Sequence, residues 1–285
     1  LETLRRDYVA NVSHELRTPL TAVRGLLEPL ADGMIQDDET RDRYYRIMLR
    51  EVVRLSRLIT DMLELSRLQT GREHMDISAV NLEELLKDTQ LSFAKEAAQK
   101  NISLILKVDD APYVMTDPDR VGQLLVILID NALHYTPAGG SITIEATDSD
   151  SKRVLVSVSD TGCGISPEDL PHIFERFYKT DKSRREGGTG LGLSIGKQIV
   201  DMLGESIYVE STVDQGTSFH FTLKKYVSNA IALGPVNADQ EYANVFFDPD
   251  ERPAQDEEPL QDAPYEIISP PKSSGNPFSF KKKST

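Results

Sequence analysis

The chain has 285 residues, 39% of them hydrophobic and 27% charged, which is enough for one or two domains with real cores. Its net charge of −14 excludes nucleic acid as the main partner, because phosphate backbones need a basic face. The single cysteine, Cys163, excludes an intramolecular disulfide and a cysteine-based metal cluster, and no apolar run is long enough to cross a bilayer.

The first predicted element is a helix. Val9, Val12, Leu16, Val23, Leu26 and Leu30 recur by threes and fours, with Pro19 filling one slot. Asp32-Gly33 is its natural stop. The chain opens at Leu1 inside this pattern and without an initiator methionine, so we expect a longer protein with an N-terminal part that precedes it. His14 falls beside the apolar seam, and its imidazole is expected to face outward. Pro19 has no N–H for the carbonyl of Glu15, which predicts a bend one turn after His14. A neutral imidazole is a competent nucleophile near neutral pH. Glu15 is placed to take the ring proton or orient the ring. Thr18, four residues on, shares the His14 face, and its hydroxyl is placed to position a water.

Asp37 or Asp38 caps a second helix, which Gly71 ends. Its seam runs Tyr45, Met48, Val52, Leu55, Ile59 and Met62 in heptad rhythm. Both helices carry apolar faces wider than one seam. Residues 1–72 are therefore expected to form an antiparallel hairpin that completes a four-helix bundle by homodimerisation.

After a linker at 73–80, residues 81–225 are expected to fold as a two-layer α/β sandwich. Helical patterns cover Leu82 to about Lys100, Val121 to Leu133 and Leu191 to Leu203. Strand patterns cover Ile102 to Val108, Ile142 to Ala146, Val154 to Val158, Ile207 to Glu210 and Ser218 to Leu223. The sheet is expected to be mixed or mostly antiparallel, with helices on one face.

Four clusters lie on this frame. Asp130-Asn131-Ala132-Leu133-His134-Tyr135 ends the apolar helix. Asn131 is either an oxygen donor for Mg²⁺ or an ordinary polar helix end. His134 and Tyr135 are placed to reach phosphate or sugar. Asp160-Thr161-Gly162-Cys163-Gly164-Ile165 follows a strand. Asp160 keeps the parity of Val154, Val156 and Val158, so its carboxylate points to the buried side and needs a donor, such as an adenine amino group. Gly162 and Gly164 permit close approach of a base, and Cys163 lines the pocket. Phe174-Glu175-Arg176-Phe177-Tyr178 precedes the charged run from Lys179 to Gly188, which reads as a lid anchored by Phe174 and Phe177. Gly187-Gly188-Thr189-Gly190-Leu191-Gly192-Leu193 leads into a helix whose N-terminus suits phosphates. It is neither a P-loop nor a dinucleotide fingerprint.

After Lys225 the composition shifts. Eight of the 15 prolines fall there, and ten acidic residues face five basic ones. Residues 226–285 are expected to be a disordered acidic tail.

Ser-His-Glu-Leu-Arg-Thr-Pro-Leu at 13–20 resembles the H-box of sensor histidine kinases of the HisKA type. The four clusters resemble that family's N, G1, F and G2 boxes in the family's order, and Gly216-Thr217-Ser218-Phe219 resembles its G3 box. The resemblance covers about residues 1–225 and is nearest to the PhoR/WalK-like group of membrane sensors. It implies a dimeric histidine-bearing bundle and a Bergerat-type (GHKL) domain that binds ATP with Mg²⁺. It implies autophosphorylation on His14, transfer to an aspartate of a response regulator, and phosphatase activity involving Thr18. Glu15 becomes the acid–base partner, Asn131 the Mg²⁺ ligand and Asp160 the adenine anchor. His134, Tyr135, Gly162, Gly164, Ile165, Phe177, Lys179, Gly188, Thr189, Gly190, Leu191, Gly192, Leu193 and Thr217 line the nucleotide site. The chain is then the cytoplasmic portion of a membrane sensor, joined to the membrane only through its missing N-terminal region.

Two residues depart from the family pattern. Ile127 stands where a second asparagine is common, and His134 where lysine is usual. Ile127 favours an alternative reading as an ATP-binding scaffold or a phosphatase without kinase activity. It counts against a GHKL ATPase of the chaperone or mismatch-repair kind, which needs a glutamate there.

Overall fold

The computed structural model describes residues 2–69, 74–108, 111–180 and 188–227, with side chains from residue 10 onward. The expected acidic tail, most of the expected lid and the Gly71 helix stop lie outside the described residues.

Helix α1 spans Glu2–Ala31 and α2 spans Asp38–Gln69. At 30 and 32 residues they are roughly 45 and 48 Å long. Gly33 ends α1 with φ +68°, and the amide of Met34 donates back to the Pro29 carbonyl at 3.0 Å. Asp37 caps α2, accepting from the Thr40 amide at 2.8 Å. Glu15 and Arg54 lie equally far from this turn and meet at 3.5 Å, as an antiparallel hairpin requires. The helix continues through the expected bend at Pro19, which is buried.

The second part follows as β1 (Ser78–Asn81), α3 (Leu82–Gln99), β2 (Ser103–Lys107), β3 (Tyr113–Thr116), α4 (Pro118–Tyr135), β4 (Ser141–Asp148) and β5 (Arg153–Asp160). It closes with α5 (Gly192–Met202), β6 (Ile207–Thr212) and β7 (Gly216–Lys224). Five strands form one sheet in the order β2-β4-β5-β7-β6, with β2 parallel to β4 and the other pairs antiparallel. Two strands differ from expectation. Ser78–Asn81, expected as linker, pairs with Tyr113–Thr116 as a separate antiparallel ribbon. Each is only four residues long, too short to show a period.

Alternation builds the core. Ile142 and Ile144 on β4, Val154, Val156 and Val158 on β5, and Phe219, Phe221 and Leu223 on β7 are buried. They share one core with Leu124, Leu125, Leu128 and Ile129 of α4 and with Ile195 and Ile199 of α5. The opposite face is polar: Ser157 hydrogen-bonds His220 Nδ1 at 2.8 Å, and Tyr208 stacks on that ring. Asp117 sets the start of α4, accepting from the Arg120 amide at 3.1 Å with Pro118 in the first turn.

The hairpin joins this core at one end. Leu58, Leu65 and Leu68 of α2 are buried with it. On the same helix Tyr45, Val52 and Ile59, spaced by heptads, remain 51%, 50% and 45% exposed. Half of the expected seam is therefore uncovered within one chain.

Candidate active site

His14 projects from the middle of α1 with its side chain 78% exposed, as its place beside the seam predicts. Its Nδ1 lies 4.0 Å from Glu15 Oε1. The Thr18 hydroxyl donates to the His14 carbonyl at 3.1 Å, so in this state it serves its own helix. Glu15 holds two cations. Lys179 Nζ lies 2.5 Å from Oε2, and Arg54 reaches the same oxygen at 3.5 Å. The Lys179 side chain is only 9% exposed, so this pair is largely removed from water. A cavity of about 250 Å³ lies here, lined by Asn11, His14, Glu15, Arg176, Phe177 and Tyr178. The segment expected as the lid base thus sits against the histidine.

The second half of the site gathers at the C-terminal end of α4. Asn131 is half-buried there, followed by His134 and Tyr135, whose rings meet edge to face at 4.8 Å. Asp160 closes β5. Burial pushes its carboxyl above the ordinary aspartate range, while amide donors from Gly162 and Thr217 pull the other way. The Gly162 amide bond is 2.8 Å long. A Cβ at Gly162 would lie 2.5 Å from the Tyr135 carbonyl oxygen and 2.7 Å from Asp160 Oδ1, so only glycine fits between those two groups. Gly164 has φ +66°, and the amide of Ile165 donates to Ser211 Oγ at 2.8 Å. Ser211 also meets the Thr217 hydroxyl at 2.9 Å, tying the loop after β5 to the β6–β7 hairpin.

The glycine-rich run borders the same space. The Phe177 amide donates to the Gly190 carbonyl at 2.8 Å. Gly192 faces Ile127 of α4, and Leu191 is fully buried. The Leu191 amide donates to the Thr189 hydroxyl, while Leu193 is half-buried and Gly188 exposed. These contacts join the 174–179 segment to the α5 entry, the α5 entry to α4, and the loop after β5 to α4 and to β7.

Several contacts were not legible in the sequence. The Thr189 hydroxyl donates to Asp61 of α2 at 2.7 Å. Arg57 lies 3.6 Å from Asp130, and Glu64 accepts from Arg120 at 2.6 Å and from Gln123 at 3.3 Å. Periodicity places Asp61 and Glu64 outside the seam but does not say what they meet. Among the described residues no three His, Cys, Asp or Glu side chains cluster as a metal site. A hard cation here would be held by few protein oxygens and by phosphate, which suits Mg²⁺ and the half-buried Asn131 amide.

Residues 4–71 match the family described as the His Kinase A (phospho-acceptor) domain. Residues 116–227 match the family of histidine kinase-, DNA gyrase B- and HSP90-like ATPases. The sensor histidine kinase WalK of Bacillus subtilis is 37% identical over 232 residues, covering 77% of this chain and 36% of that protein. The sensor protein SrrB of Staphylococcus aureus is 35% identical over 227 residues, covering 79% and 39%. Thus the chain spans between a third and two fifths of these curated relatives. Among solved structures, the histidine kinase ThkA in complex with the response regulator protein TrrA superposes with a TM-score of 0.65 at 29% identity, covering 77% of this chain and 61% of that one. Full-length ShkA in complex with AMPPNP gives 0.58 at 30% identity, covering 78% and 47%. With a phosphoacceptor-type hairpin and an ATPase-type sandwich in this order, and relatives of both kinds throughout, the chain belongs to the two-component sensor histidine kinases.

Proposed function

We propose that this chain is a kinase core that moves the γ-phosphoryl group of ATP onto His14 and then to an aspartate of a response regulator. The observation that carries the reading is the seating of Lys179 and the Arg176–Tyr178 turn against an outward-facing His14 and its neighbour Glu15. The relatives solved with AMPPNP and with a response regulator support the substrate and the partner.

In this reading Asp160 receives the adenine amino group, and Gly162, Gly164, Ile165 and Thr217 shape the base pocket. Gly188 to Leu193 enclose the phosphates at the start of α5, with His134, Tyr135, Phe177 and Lys179 at their edges. Asn131 would hold Mg²⁺ together with the phosphates, and the ion would supply charge compensation for the transferring group. His14 attacks through Nε2. The bond from the γ-phosphorus to the ADP oxygen breaks, a P–N bond forms, and the Nδ1 proton passes to Glu15. Glu15 Oε1 lies 4.0 Å from Nδ1, while Lys179 and Arg54 hold the other oxygen, Oε2. The uncovered heptad face of α2 supports pairing of two chains into a four-helix bundle. Thr18, one turn from His14, is assigned the positioning of water when the regulator is dephosphorylated. No described helix is long and apolar enough to cross a membrane.

The test is incubation with Mg²⁺ and ATP labelled at the γ-phosphate, with His14→Gln alongside. Acid-labile, base-stable label on the parent chain alone is expected. Equal label on the variant would sink the assignment of His14. Intact nucleotide binding with no label on either chain would favour a phosphatase-only core, the reading that Ile127 and the doubly held Glu15 make worth testing.

A further inference from the structure

A group of polar contacts joins residues 57–64 of α2 to the second part of the molecule. Asp61 accepts from Thr189, inside the run Gly188–Leu193. Burial raises the Asp61 carboxyl against the Thr189 bond and Arg57, nearby Asp130 adds a smaller push in the same direction, and Arg57 of α2 reaches Asp130, the neighbour of Asn131, at 3.6 Å. One turn further along α2, Glu64 engages Arg120 and Gln123 on the first turn of α4. Two carboxylates, Asp61 and Asp130, thus flank the loop and helix end assigned to triphosphate and cation.

We propose that Asp61 is a nucleotide-sensitive clamp: its carboxylate holds the glycine-rich loop against α2 through Thr189, and the phosphates of ATP compete with it. The proposal rests on reading Gly188–Leu193 as the phosphate loop. The physics is charge and occupancy. A triphosphate seated in this loop meets a partly buried carboxylate 2.7 Å from the Thr189 hydroxyl, where screening by water is weak. Arg57 pairs with Asp130 and also favours the charged Asp61, so a single cation faces two carboxylates. The Thr189 hydroxyl has one proton to donate, so it serves Asp61 or a phosphate oxygen, but not both. Docking on α2 and ATP binding therefore oppose each other, and linkage makes the effect reciprocal. ATP loosens the second part of the molecule from α2, the movement needed before Lys179 can leave Glu15. Glu64, Arg120 and Gln123 form the other end of the clamp. Glu64 acts on Arg120 and Gln123 of α4 rather than on Thr189, so it contributes holding strength without phosphate sensitivity.

The experiment measures Mg·AMPPNP and Mg·ADP affinity by calorimetry on the full chain, on Asp61→Asn and on Glu64→Gln. Hydrogen exchange of the 57–65 segment is followed with and without nucleotide. Asp61→Asn removes the charge and keeps the shape. It is expected to tighten AMPPNP binding about fivefold, the low end of ordinary coupling between sites, and ADP binding by less. In the parent chain AMPPNP is expected to speed exchange at 57–65. Glu64→Gln is expected to speed that exchange without nucleotide and to tighten AMPPNP and ADP equally. Unchanged or weaker AMPPNP binding by Asp61→Asn, with normal binding by the parent, overturns the clamp and leaves the phosphate loop standing. Failure of the parent chain to bind either nucleotide overturns both.

Discussion

At the scale of single residues, charge is placed where it costs stability and serves recognition. Asp160 shows this best. Burial is the largest influence on its carboxyl and raises it, outweighing the Gly162 and Thr217 donors. The sign follows from linkage. A carboxyl raised by folding favours the folded state when protonated, and that advantage is lost as pH rises through its folded value. At pH 7.5 the ionised group is a liability in the nucleotide-free chain. Asp160→Asn is therefore expected to melt at the same temperature as the parent or higher at pH 7.5. The gap should close as pH falls toward 4 and the parent carboxyl protonates. The same variant is expected to lose about tenfold or more in ATP affinity, because a carbonyl oxygen and an NH₂ replace two acceptor oxygens. Melting curves from pH 8 to 4 and a nucleotide titration check both halves. A variant that melts well below the parent at pH 7.5 would show that the two amide bonds dominate. At Glu15 the structure supplies what sequence lacked: its partners Lys179 and Arg54 lie 164 and 39 residues away. No local pattern encodes contacts at that separation.

At the scale of elements, legibility tracked length and periodicity. The two long helices, α3, α4, α5 and the five strands of the main sheet announce themselves by apolar spacing, and α2 also by its capping residue Asp37, whereas the caps Asn81 and Asp117 emerge only in the structure. The β1–β3 ribbon does not, because its order comes from partners rather than from its own residues. The parity argument for Asp160 worked because Val154, Val156 and Val158 turn to the core ahead of it, although Ser157 on the opposite face is buried as well. The face of α2 that meets Thr189 and Arg120 was illegible for the opposite reason: charged residues outside a seam read as solvated. Asp117 makes a prediction at this scale. Its side chain accepts from the Arg120 amide and, with the other oxygen, from the Asp76 amide at 3.0 Å, while the residue is 6% exposed. It caps α4 and fastens the segment entering β1. Asp117→Ala is expected to cost about 2 kcal/mol in urea unfolding, the upper end for a cap, because a second buried amide loses its acceptor. Asp117→Asn should recover most of that. A loss near zero for alanine would mean water replaces both bonds. Leu128→Ala, fully buried on the same helix, is expected to cost about 2–5 kcal/mol.

At the scale of the whole molecule, one face of the hairpin remains to be explained. Leu58, Leu65 and Leu68 bury α2 against the second part of the same chain. Tyr45, Val52 and Ile59 point elsewhere, with Leu49 64% and Leu63 56% exposed beside them. On α1, Leu20 and Leu27 are 61% and 52% exposed, again seven residues apart. Scattered surface leucines need no explanation, but rows repeating by heptads are more than scatter. Under the proposed homodimer, a second copy of the hairpin brings matching rows through two-fold symmetry. Placing glutamates in the α2 row tests this. Val52→Glu with Ile59→Glu sets four carboxylates into the symmetric interface, while neither residue enters the core that folds the chain. The expected outcome is a parent that sediments as a dimer and a variant that sediments as a monomer with unchanged far-ultraviolet circular dichroism. Mg·AMPPNP affinity should be retained, because neither Val52 nor Ile59 is among the residues assigned to the nucleotide under the proposed function. Mixing the variant with excess His14→Gln chain should leave phosphorylation unaltered, since the variant has lost the means to pair. A variant that stays dimeric would move the interface off this seam. A parent that is monomeric at every concentration would leave the exposed rows as a surface for another protein and remove the four-helix bundle from the account of how His14 is presented.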